Sequence, residues 1–187
     1  MLGPAVNQKQ LALGLLFMLL PVLPAVAAPS TLPAINTNQF YTLQLGMQVL
    51  GSWALGNIIY SSFLLPKASR SRRYFYQLNL LWNLVNLLIA IGGFYFAITA
   101  DPEMPLANSI RLHYCIRNIL LFSIGLAIAF IMLGQMLQKN ARMVRKPERN
   151  WGNGRSVILQ ALFLLLFGIG FYLTFMHFGP QLTDLIK

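Results

Sequence analysis

The chain is short of acids. Four carboxylates (Asp101, Glu103, Glu148 and Asp184) stand against 14 Lys and Arg, for a formal net charge of +10. None of them lies inside a long apolar run. Paired carboxylates for general acid–base work are therefore missing. So is the intramembrane carboxylate on which proton-coupled carriers usually rely. A single cysteine, Cys115, excludes an intramolecular disulfide and any thiol exchange that needs a cysteine pair. Histidine is scarce too. His113 and His177 fall near the ends of two apolar runs, and are weak candidates to share a haem iron or a metal. No Ser-His-Asp set, HExxH or glycine-rich phosphate loop occurs. The expectation is a protein that is not an enzyme and holds no cofactor or metal.

What is abundant is apolar surface. The 187 residues are 57% hydrophobic, above the roughly 45–50% of ordinary soluble domains. Long apolar runs alternate with short basic segments, which marks an integral membrane protein. Lys67, Arg70, Arg72 and Arg73 fill one short segment, and Lys139, Arg142, Arg145, Lys146, Arg149 and Arg155 fill another. The alternate loops carry almost no Lys or Arg. Cytoplasmic loops collect positive charge in this way, so topology accounts for the basic balance and nucleic acid is not expected as a partner.

Read along the chain, residues 11–23, "LALGLLFMLLPVL", form a short apolar run after Lys9, with small residues at Ala25 and Ala27. This predicts a signal peptide over 1–27, with a retained anchor as the alternative. A polar periplasmic linker is expected over 28–39. Four spans follow at about 40–65, 74–99, 114–137 and 157–178, then a periplasmic tail over 179–187. The fold class expected is an all-α membrane protein, a four-transmembrane-helix bundle after the signal peptide. Its place is a bacterial inner membrane, multi-pass, with both mature termini periplasmic. In the second basic loop, the third helix is expected to continue to Pro147, Trp151 to anchor at the interface, and "GNG" (152–154) to turn.

The stretch "YQLNLLWNLVNLLIAIGG" (76–93) sets three asparagines in an otherwise apolar span. At about 100° per residue, Asn83 lies about 40° from Asn79 and Asn86 about 20° on the other side. Ala90, Gly93 and Ala97 continue the line, so one face is polar and then small, which suits helix packing rather than lipid. Leu81, Leu84, Leu88 and Ile91 form the opposite, lipid-facing side. In the first span Gln44, Gln48, Gly51 and Leu55 share a line, with Ser62 further down, while Asn57 sits on a second face with Trp53 and Tyr60. The third span offers Asn118, Gly125 and Ala129. The fourth offers Gln160 with Phe163, Phe167, Phe171 and Thr174. The expected bundle interior is therefore spotted by Gln44, Gln48, Asn57, Asn79, Asn83, Asn86, Asn118 and Gln160.

The basic loops predict contacts to anionic lipid on the cytoplasmic side through Arg70, Arg72, Arg73, Arg142, Arg145 and Lys146, at about 1 kcal/mol per charge. Arg117, about one turn inside the opposite boundary, is a further anion contact, able to snorkel outward or to pair with Asp101 or Glu103.

"GSWALGN" (51–57), "YFYQLN" with "WNLVN" (74–86), "ILLFSIGLAIAF" (119–130) and "GRSVILQALFLLLFGIGFYL" (154–173) resemble an uncharacterised bacterial family of small four-span membrane proteins, common in Bacteroidetes. The resemblance covers about residues 39–177 and implies the four-span architecture. It implies no activity. The functional expectation is a structural or accessory membrane protein that binds lipid, itself or another membrane protein through its helices. The alternative is a small oligomeric transporter or channel subunit using the Asn/Gln-lined interior.

Overall fold

Prolines decide where the helices begin. Pro cannot donate a backbone N–H, but the first turn of a helix has no partner for that group. Pro33 lies in the first turn of α1 (Leu32–Leu64), after Thr31 in extended conformation. Pro105 is the N-cap of α3 (Leu106–Lys139), and Pro147 opens α4 (Pro147–Met176). Ser69, also extended, precedes α2 (Arg70–Thr99). Short 3-10 turns follow α1 (Leu65–Lys67) and α3 (Asn140–Met143), and α5 (Phe178–Asp184) ends the order. The computed structural model describes residues 31–186, and the predicted signal peptide, 1–27, lies outside them.

Two segments outside the expected spans are largely helical. The linker 28–39 is helix from Leu32 onward, and Ile35, Asn36 and Gln39 are buried. Its Pro and Asn content resembles a loop, yet Pro33 is a helix-start residue, and Asn36 Nδ2 donates to Pro102 O at 2.8 Å across the bundle end. The tail 179–187 contains most of α5, which buries Phe178 and Leu182. "GNG" is no turn. Gly152 and Gly154 sit within α4 and are buried. The third helix also stops short of Pro147, at the turn ending in Met143.

The four long helices have 33, 30, 34 and 30 residues. All four are long and apolar enough to cross a membrane, since about 20 residues suffice. Large apolar side chains cover the outside: Leu88 and Phe122 are each 70% exposed and Phe63 75%. The predicted lipid-facing row Leu81, Leu84, Leu88 and Ile91 is exposed throughout. Water would penalise such a surface and lipid would not.

Consecutive helices run antiparallel. α1 packs on α2, α2 on α4, and α4 on α3, while α1 and α3 scarcely meet; α5 lies against both. The segments 65–73 and 138–155 thus share one end of the bundle, here the basic end. Asp101, Glu103, His113 and α5 lie at the other. Two close approaches fix the helices at the basic end. A Cβ on Gly154 would stand 2.7 Å from Gly134 O of α3, and one on Gly152 would collide with Ser71 O of α2. No glycine there has positive φ, so what these positions require is small size, which lets helix backbones touch.

Candidate functional site

The asparagine face of α2 points inward as its spacing predicts. Asn79, Asn83, Asn86, Ala90 and Ala97 are all buried. Asn79 is the hub. Its Nδ2 donates to Ser61 Oγ at 2.8 Å and to Asn57 Oδ1 at 3.1 Å, both on α1. Its Oδ1 accepts from Gln160 Nε2 on α4, and from Asn83 Nδ2 at 3.4 Å. Asn83 Nδ2 also donates to Asn79 O at 2.7 Å. Gln160 Oε1 in turn accepts from Trp53 Nε1 at 3.1 Å, and Asn57 Nδ2 donates to Trp53 O at 2.9 Å. The chain Trp53–Gln160–Asn79–Ser61 closes a polar knot across α1, α2 and α4. Bonding one amide to the next uses donors and acceptors that would otherwise be orphaned in an apolar interior.

An aromatic ladder continues from the knot. Trp53 stacks on Phe163 at 4.1 Å between centroids, with 5° between planes. Phe163, Phe167, Phe171, Phe175 and Phe178 then follow one another along α4 into α5. Gly46 makes room for the Phe171 ring, whose atoms would lie 2.7 Å from a Cβ. At the far end His113 stacks on Phe175 at 5.3 Å.

Not every predicted interior residue lies inside. Asn57 is half-buried within the knot, and Gln44 is half-buried, with Nε2 3.4 Å from Ala97 O. Gln48, Leu55 and Ser62 are exposed; α1 turns instead Leu43, Gly46, Leu50, Trp53, Ala54 and Ser61 inward. The polar line was the weaker guide, because Trp53 on the inward face both stacks on Phe163 and donates to Gln160 Oε1. Asn118, with Gly125 and Ala129, is also exposed. Beyond Ser109 in its first turn, the buried seam of α3 is His113, Leu120, Ala127 and Gly134, spaced by sevens. That is the interval of knobs-into-holes packing and the signal that would have found this face. On α4, Gln160, Phe163, Phe167 and Phe171 are buried as expected and Thr174 is half-buried.

Ser61, Thr42 and Gln39 were missed. Ser61 adjoins Ser62, and only the rotation of α1 distinguishes them. Thr42 Oγ1, Gln39 Nε2, Asn83 Oδ1, Asn86 Nδ2 and His113 Nδ1 are buried without a hydrogen-bond partner. His113 is buried and His177 exposed, and among the described residues no group of three or more His, Cys, Asp or Glu could hold a metal. Arg117 is half-buried, its guanidinium 4.5 Å from the centroid of the Tyr114 ring. Arg70, Arg72, Arg73, Arg142, Arg145 and Lys146 are exposed at the basic end.

The segment from Val49 to Ile169 holds the knot, the first rungs of the aromatic ladder (Trp53, Phe163 and Phe167) and both glycine crossings. These residues, 49–169, match the family described as a family of unknown function, DUF6992. The chain belongs to it. No curated protein and no solved structure matches the chain. This DUF6992 member is thus placed in a family that brings no activity with it. The matched region starts within α1 and ends within α4, so it includes Trp53, Asn79 and Gln160 but leaves out α5.

Proposed function

We propose that this protein is a non-enzymatic structural or accessory protein of a bacterial inner membrane. Its basic end faces the cytoplasm, and its exposed helix faces bind lipid, another copy or other membrane helices. The observation that carries this reading is the closure of the amide knot. Asn79 spends both its Nδ2 and its Oδ1 on neighbours inside the bundle. In a transport pathway the hub amide too would be free to replace the hydration of a solute; of the three asparagines, Asn83 Oδ1 and Asn86 Nδ2 are the polar atoms left buried without a partner. Here the hub amide holds three helices together, as buried amides do in membrane bundles. The basic segments at one end support the orientation through the positive-inside bias.

The test is Asn83→Leu in the full chain reconstituted in liposomes. Expected are wild-type and variant permeabilities to ions and small polar solutes that both equal the lipid background, with only stability or assembly altered. A flux present in wild type and lost in a folded Asn83→Leu would overturn the reading in favour of a small transporter or channel subunit. Crosslinking in the native membrane should then capture a second copy or another membrane polypeptide along the exposed faces of α2 and α3.

A further inference from the structure

At the basic end, where α3 gives way to α4, the surface folds into a cleft of about 440 Å³. Its lining combines two chemistries. Arg145, Lys146 and Arg149 supply three cations and Asn150 and Asn153 two amides, while Leu137 and Val144 form an apolar wall. No carboxylate lines it; Glu148, the acid in the first turn of α4, is not among the lining residues. Three exposed cations around one open, shallow depression, with amide donors beside them, suit a phosphate group, which takes charge-assisted hydrogen bonds from several directions. The apolar wall selects among phosphates. Half-buried Leu137 lies one turn past the exposed Leu133 and next to the exposed Met136 on α3, so the apolar wall continues the outer face of that helix. A soluble phosphate gains nothing from Leu137 and Val144, whereas a phospholipid does.

We propose that this cleft binds one anionic phospholipid, with its headgroup phosphate among Arg145, Lys146 and Arg149 and the start of an acyl chain along Leu137 and Val144. This rests on the lipid-binding reading above and narrows it to one site and one ligand class. Diffuse attraction of a basic surface would not distinguish this cleft from the equally cationic segment holding Arg70, Arg72 and Arg73.

The experiment is native mass spectrometry of the full chain in mild detergent, titrated with dioleoyl phosphatidylglycerol, with phosphatidylcholine of the same chains, and with glycerol 3-phosphate. One phosphatidylglycerol should bind at least about tenfold more tightly than phosphatidylcholine. The triple variant R145Q/K146Q/R149Q should lose that preference, at about fivefold per charge and so about a hundredfold at most. R70Q/R72Q/R73Q, which removes the same charge outside the cleft, should change affinity less than about threefold. Leu137→Gln should weaken the lipid and leave glycerol 3-phosphate unaffected. Near-ultraviolet circular dichroism shows that each variant keeps its packing. Equal losses in the two triple variants, or no one-to-one complex, would overturn the proposal. Glycerol 3-phosphate competing at the same concentration as the lipid would overturn the choice of a lipid. Any of these results leaves the accessory reading standing, and a solute flux would overturn that reading without emptying the cleft.

Discussion

The knot assigns unequal energies to asparagines that look alike in sequence. Consider Asn79→Leu, which keeps the number and branching of side-chain heavy atoms while removing the hub. Four side-chain hydrogen bonds disappear: those to Ser61, Asn57, Gln160 and Asn83. Interhelical bonds inside membrane bundles average about 0.6 kcal/mol each, which makes about 2 kcal/mol after discounting the long bond from Asn83. Gln160 Nε2 is then left without its acceptor in a side chain with no exposed surface. An orphaned buried donor costs about 1 kcal/mol or more. The expected loss is about 3 kcal/mol. Asn86→Leu is the control. Asn86 is 4% exposed and its Nδ2 already has no partner, so that change should fall within about 0.5 kcal/mol of wild type or stabilise. The assay is reversible unfolding in mixed micelles at rising denaturing-detergent fraction, followed by helix circular dichroism and tryptophan fluorescence. Asn79→Leu losing no more than Asn86→Leu would refute the hydrogen-bond assignment and reduce the asparagines to interchangeable polar residues.

Two further contrasts are open to the same assay. Gly152→Ala should destabilise by about 1–3 kcal/mol, because the new Cβ meets the Ser71 carbonyl and α2 must move. Gly125→Ala, with nothing within 4 Å of its Cβ, should be neutral or gain up to about 1 kcal/mol from helix propensity. Equal responses would show that α2 and α4 do not touch at Gly152. Trp53→Phe keeps the stack on Phe163 but deletes the donor to Gln160 Oε1, and should cost about 1 kcal/mol or more. It should also remove the most buried of the tryptophan signals, since Trp53 is 7% exposed and Trp151 46%. Unchanged stability would mean that Gln160 finds another donor.

The four long apolar helices and the inward face of α2 were legible because each rests on a local property. Length and apolarity mark a span. Three asparagines within about 40° of one line, set against an all-leucine opposite face, leave one rotation open to α2. The phenylalanines of α4 mark its inward face in the same way. Gln48 and Asn118 misled because a single amide on an otherwise apolar helix names one direction only, and the rotation of the helix is set by all of its contacts, in α1 by Trp53 and Ser61 and in α3 by the close-packed seam. The heptad-spaced seam of α3 was present in the sequence, but its members, His113, Leu120, Ala127 and Gly134, share no chemistry, only spacing.

By itself, then, the sequence determined four long apolar helices, the division of charge between the two ends and the polar face of α2. These follow from hydropathy, charge placement and helical period, all of which are additive along the chain. Only the tertiary structure decided that Trp53 and Ser61, not Gln48 and Ser62, face the interior; that α2 and α4 touch at Gly152 while α1 and α3 stay apart; that residues 32–39 and α5 are helix; and that Arg145, Lys146 and Arg149 share one cleft. Each of these depends on which faces of separate helices meet, and that choice is made by packing between residues distant in the chain.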